Sequence, residues 1–280
     1  MPYRLANVAG RAALVRGDHY FDLDTITDGG FDGDPMNAIA RPDELADLSS
    51  SLDSHEPTGL LDEVDLLAPV PRPTNVFALG LNYADHAEES GFEIPGTPLV
   101  FGKFPGSVAG PGTPIVVPGG TIDYEAEVVV VIGTSGANIT REMAWEHVVG
   151  VTAGQDVSDR GLQFAASPPH FDLGKSRDGY SPIGPVLVSS DALDDRGAIG
   201  IECLVNGETR QQGSTADLIF DVPTIIEYLS SILTLHTGDL IFTGTPDGVG
   251  MATGRMLQPG DIVETRVEGV GSLMNQCVGN

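Results

Sequence analysis

The segment that most restricts the fold is the acidic stretch Asp123-Tyr-Glu-Ala-Glu127, which runs straight into Val128-Val-Val-Val-Ile132. Five successive β-branched residues favour a strand, and a strand apolar at every position is fully buried. Side chains two apart in a strand share a face, so Glu125 and Glu127 point the same way. Two carboxylates on one face repel, and burying them requires a cation or a proton. The other reading is an edge strand with a solvated acidic face.

A third acid completes a candidate metal site. Asp156 follows the β-like stretch 150–153 in Gly154-Gln-Asp-Val-Ser-Asp-Arg160. Three carboxylates without a nearby Cys or His suit a hard cation, Mg²⁺ or Mn²⁺, with coordination positions left open to substrate oxygens. Alternatively, Asp156 caps its own loop.

The 14 basic and 40 acidic residues give a net charge of −26, which excludes nucleic acid and anionic membrane surfaces as partners. A small anionic substrate held by a metal or a local cation remains compatible. Only Lys103 and Lys175 are lysines. With no apolar run of membrane-spanning length, no secretory h-region and only Cys203 and Cys277, the expected setting is the reducing cytoplasm.

Pro69, Pro71 and Pro73 mark an extended linker. It divides a small N-terminal domain, 1–72, from a main domain, 73–280. Strands are expected at 76–79, 121–132, 186–188, 199–205, 239–242 and 261–267, with helices at 43–52, 141–149 and 222–235. Strands interrupted by occasional helices predict an α+β, mainly β fold.

His86 and Glu89 lie one helical turn apart in Gly80-Leu-Asn-Tyr-Ala-Asp-His-Ala-Glu-Glu89. A carboxylate beside imidazole orients a general base; a surface pair is the plainer reading. The surrounding Gly and Pro residues suggest a lid over 83–98. Gly174-Lys-Ser176 is not a phosphate loop, because position 169 is Pro where that motif needs Gly. The loop 243–250, TGTPDGVG, either brings backbone amides to an anion or makes a tight turn.

Together these segments, with VFGK (100–103), QDVSDRGLQ (155–163), PIGP (182–185) and VNGETRQ (205–211), resemble the fumarylacetoacetate hydrolase family in order and spacing. The resemblance implies a mixed β-sandwich roll, a homodimer and Mg²⁺ or Mn²⁺ in each subunit. By the same resemblance the metal ligands are Glu125, Glu127 and Asp156. His86 and Glu89 are a catalytic dyad on a mobile lid, Lys175 is the active-site lysine, and Arg160, Gln163 and Thr245 line the substrate pocket. Lys103 and Arg177 receive no role, and Arg177 either reads a second substrate carboxylate or faces solvent. The implied function is metal-dependent C–C bond hydrolysis in an acylpyruvate-like β-diketo acid. The alternative is an oxaloacetate-type decarboxylase, or an isomerase of a 2-hydroxymuconate-like keto acid, using the same site.

Overall fold

The computed structural model describes residues 1–89, 91 and 93–280. Its main strands are β1 (Arg4–Val8), β2 (Arg11–Arg16), β3 (His19–Asp22), β4 (Val76–Gly80), β5 (Leu99–Lys103), β6 (Ala126–Ile132), β7 (Val148–Gln155), β8 (Ser181–Val188), β9 (Gly200–Val205), β10 (Glu208–Ser214), β11 (Leu240–Phe242), β12 (Ile262–Val267) and β13 (Gly271–Val278). The large sheet runs β3-β2-β1-β8-β7-β6-β11-β4-β5, and a second sheet runs β10-β9-β12-β13; short strands extend both. Most neighbours are antiparallel, but β11 and β4 are parallel, so the architecture is the expected mixed, mainly β one.

The apolar run lies in the interior of the large sheet, paired on both sides. Its side chains alternate between two cores. Val128, Val130 and Ile132 meet Cys203, Val263 and Leu273 between the sheets. Val129 and Val131 share the opposite core with Leu5, Leu14, Ile39 and Leu45 of the N-terminal segment. Burial on both faces explains why no polar residue interrupts the run.

The expected strand over 121–132 is broken where the acids lie. Ile122–Asp123 pairs with Ser158–Asp159, while β6 starts only at Ala126. At the break, Glu125 N–H donates to Gln155 Oε1 (2.9 Å) and Ala126 N–H to Gln211 Oε1 (3.0 Å). Side-chain amides thus replace the missing ladder bonds of a buried backbone.

Five helices position the remaining parts: α1 (Pro42–Ser51), α2 (Ala84–Glu89), α3 (Arg160–Gln163), α4 (Phe171–Gly174) and α5 (Val222–Ile232). Asp221 caps α5 by accepting from Thr224 N–H (2.9 Å). The helix expected over 141–149 is instead a 3-10 helix, Arg141–His147, because Val148-Val149 already belongs to β7. The expectation had no place for β5, β10 and β13; β10 in particular carries the polar sequence ETRQQGS.

Strand pairing crosses the division placed at residue 72. β1 bonds to β8, and the N-terminal side chains share a core with the large sheet. The two-domain division therefore rests on the proline linker and not on a gap in packing.

Candidate active site

Glu125, Glu127 and Asp156 converge. Each offers an oxygen within 4.8 Å of the others, and all three are buried. The convergence is built locally: β6 and β7 place Glu127 opposite Gly154, and Asp156 N–H donates to Glu125 O (2.8 Å). The edge-strand reading is thereby excluded for this pair.

Cations surround the cluster unevenly. Lys175 Nζ donates to Glu125 Oε2 (2.6 Å) and Asp156 Oδ2 (2.7 Å). Lys103 Nζ donates to Asp156 Oδ1 and to the carbonyls of Lys175 and Tyr180. Arg160 donates from Nη2 to Glu125 Oε1 (2.6 Å), from Nε to Asp123 Oδ2 (2.9 Å) and from Nη1 to Gln163 Oε1 (2.9 Å). Glu127 receives only the Gly244 amide, at Oε2 (2.7 Å); its buried Oε1 has no partner among the described residues.

The ionisation pattern follows. Burial opposes the charge of Glu125, but Lys175 and Arg160 overcome it and hold this carboxyl well below its usual range. Burial, then the charges of Asp156 and Glu125, push Glu127 well above it. Burial depresses the Lys103 ammonium despite Asp156. For Lys175 the same burial is outweighed by Asp156 and Glu125, so its affinity for the proton rises.

The orphaned oxygen, the all-oxygen donor set and the mutual distances fit a hard divalent cation. Glu125, Glu127 and Asp156 are the residues that could hold it.

The Gly-rich loop after β11 ties three site carboxylates through its backbone. Gly244 N–H serves Glu127, Gly248 N–H serves Glu89 Oε2 (3.0 Å), and Gly250 and Met251 N–H serve Asp123 (2.6 and 2.9 Å). Gly244 and Gly248 have φ of +102° and +95°; a Cβ at Gly248 would lie 2.1 Å from Arg210 O. The anion expected for this loop is thus a set of the protein's own acids.

On α2, His86 Nδ1 lies 2.9 Å from Glu89 Oε1. His86 is buried, which rules out the plain surface pair. Burial works against Glu89, but His86 and the Gly248 amide keep its carboxyl below the ordinary value. Tyr83 bridges to Leu218 at the start of this segment. The lid expected over 83–98 includes Ser90 and Phe92, which lie outside the described residues.

His86, Glu125, Arg160, Gln163, Lys175 and Thr245 all border one cavity of about 280 Å³. The Thr245 hydroxyl donates to Ala126 O (2.9 Å) and accepts from Gln211 Nε2 (2.8 Å), so its proton is committed to the scaffold. Arg177 pairs with Asp159 (2.8 Å) and does not border the cavity. Sequence reasoning missed Asp123, Gln155 and Gln211. Asp123 was detectable, since it stands two residues before Glu125 in the same acidic segment; the glutamines carry no local signal.

Residues 75–278 match the family described as fumarylacetoacetate (FAA) hydrolase, C-terminal. The chain belongs to the fumarylacetoacetate hydrolase family. It is 43% identical over 224 residues to oxaloacetate tautomerase YisK of Bacillus subtilis, covering 77% of this chain and 74% of that one. Among solved structures it is similar to maleylpyruvate hydrolase from Sphingobium sp. SYK-6 in complex with manganese(II) and pyruvate (TM-score 0.83, 28% identity, 99% of each chain). It is also similar to 5-carboxymethyl-2-hydroxymuconate delta-isomerase from Mycobacterium smegmatis (TM-score 0.76, 30% identity, 100% and 99% of the two chains). These relatives are enzymes of keto-acid chemistry. No helix among the described residues is long and apolar enough to cross a membrane.

Proposed function

We propose that this member of the family is a Mg²⁺- or Mn²⁺-dependent hydrolase that cleaves the C–C bond of an acylpyruvate-like β-diketo acid. One observation carries the proposal: a buried imidazole oriented by a carboxylate borders the same cavity as Glu125, one of the three clustered carboxylates. Glu125, Glu127 and Asp156 would hold the ion, which when bound supplies Lewis-acid stabilisation of negative charge on the substrate's α-keto acid oxygens.

The chain's own groups do the rest. With Nδ1 engaged by Glu89, His86 has Nε2 to take a proton from water. Glu89, anchored by Gly248 N–H, stabilises the imidazolium that results. The hydroxide adds to the distal carbonyl, the C–C bond breaks, and its electron pair passes to the pyruvate fragment as an enolate. His86 then returns the proton to carbon, leaving a carboxylic acid and pyruvate. Lys175 places positive charge beside that enolate. Because Gln163 Oε1 accepts from Arg160, its NH₂ group is left as a donor to a substrate oxygen.

The similarity to an oxaloacetate tautomerase favours a second reading, proton transfer or decarboxylation on oxaloacetate through the same enolate. The isomerase relative extends that reading to hydroxymuconate-like acids. The test is turnover of acylpyruvates and oxaloacetate by the Mn²⁺-loaded protein and by His86→Ala and Glu89→Gln. Loss of the base lowers acylpyruvate cleavage about 10²–10⁴-fold and spares much of any decarboxylation. Equal loss of both activities in both variants removes His86 as the water-activating base. Far faster turnover of oxaloacetate by the unaltered protein installs the second reading. A homodimer, a cytoplasmic setting and the division at residue 72 complete the proposal.

A further inference from the structure

We infer that the substrate's distal tail is uncharged and apolar, and that it lies against Leu99, Phe101, Phe171 and Met251. The inference rests on the keto-acid reading above and narrows it. The residues lining the cavity are of two chemical kinds. His86, Glu125, Arg160, Gln163 and Lys175 are polar, with Glu125 bonded to Arg160 and Lys175 and Gln163 bonded to Arg160. Most of the others are apolar, among them Leu99 and the tilted rings of Phe101 and Phe171, whose centroids are 5.4 Å apart. Lys175 Nζ lies 5.2 Å from the Phe101 ring centroid.

A substrate with a second carboxylate would need a second cation, and among the described residues bordering the cavity none is free. All three guanidinium nitrogens of Arg160 are engaged, by Asp123, Gln163 and Glu125. Lys175 bridges Glu125 and Asp156, and His86 is paired with Glu89. Arg177, the remaining candidate, is held by Asp159 away from the cavity. Drawing Arg160 toward a substrate tail would strand the buried carboxylate of Asp123, Lys175 is spent beside the enolate at the head of the substrate, and leaving the tail unpartnered would bury a charge among apolar side chains. A hydrocarbon tail meets neither penalty, and each methylene buried there improves affinity about fourfold.

The test is calorimetric binding of two six-carbon keto acids, 2-oxohexanoate and 2-oxoadipate, to the Mn²⁺-loaded protein. They share one head group and differ only in whether the tail ends in methyl or carboxylate, and neither has the 4-keto group that C–C hydrolysis requires. We expect 2-oxohexanoate to bind at least tenfold more tightly. Leu99→Arg supplies the missing cation at a position that is 42% exposed on the edge strand β5, where a long side chain is accommodated. It should shrink the preference at least fivefold or reverse it. Equal or tighter binding of 2-oxoadipate to the unaltered protein overturns the inference, as does an unchanged preference in Leu99→Arg. Hydrolysis of hexanoylpyruvate is scored separately: no cleavage with the binding preference intact defeats the hydrolase reading and upholds the tail assignment.

Discussion

Replacing Glu127 by Gln should stabilise the metal-free protein and weaken its metal binding. The carboxylate is buried, one of its oxygens has no partner among the described residues, and two other carboxylates each have an oxygen within 4.8 Å of it. At that separation a like-charge pair is worth about 3.5 kcal/mol at an effective dielectric constant of 20. Lys103, Lys175 and Arg160 neutralise much of the neighbours' field. A residual of about 1–3 kcal/mol is left, the range for a buried unsatisfied polar group. Glutamine keeps an oxygen for Gly244 N–H and turns a donor toward the acids. At roughly 2–4 °C per kcal/mol for a large domain, the variant should melt about 2–12 °C higher in a chelator.

The pH dependence has a definite sign. Burial and the two acids raise the Glu127 carboxyl above its ordinary value of 4.5 in the folded protein, so the folded state binds the extra proton. Stability from this group is complete below that ordinary value and is lost as pH rises toward the folded-state value. The advantage of Glu127→Gln therefore widens from pH 5 to pH 8. With Mn²⁺ the order reverses: saturation to a hundred times Kd adds about 2.7 kcal/mol to a protein that binds it, and the variant lacks one ligand. Thermal scans in chelator and in Mn²⁺ decide. A chelated variant that melts below the unaltered protein at pH 8, or gains as much from Mn²⁺, refutes the reasoning.

Two lysine substitutions test the rest of the cluster. Lys103→Met removes a donor from Asp156 Oδ1 and from the Lys175 and Tyr180 carbonyls; urea unfolding should show a loss of about 3–5 kcal/mol, typical of breaking a buried ion pair, and a loss below 1 kcal/mol contradicts that role. Lys175→Arg keeps the charge but replaces a compact ammonium between Glu125 and Asp156 by a wide planar fork. We expect kcat to fall about 100-fold, equivalent to about 2.7 kcal/mol, with the circular dichroism spectrum unchanged; near-normal turnover dissociates this lysine from catalysis.

What the amino-acid order determined by itself was local or periodic. The Val128–Ile132 run announced a buried strand, and the acids just before it were legible as a pair, although Glu125 lies before the start of that strand and its convergence with Glu127 comes from the break and not from strand alternation. The three-residue spacing of His86 and Glu89 gave their contact within one helical turn. The residues themselves offered Asp156 as a third acid, and family resemblance added Lys175, Arg160, Gln163 and Thr245; the fold gathers all five at the cluster or its cavity. Tertiary structure alone decided which partners these groups receive. Lys103 is 53 residues from Asp156, and Gly244 is 117 from Glu127. Gln155 and Gln211 complete a broken strand only because β7 and β10 bring them there. It also left Arg177 on Asp159 and every cation of the cavity engaged. Periodicity reports which face a residue takes, because backbone geometry repeats every few residues. Charge pairing in a buried site depends on distances between elements far apart in the chain, and these exist only once both sheets have packed.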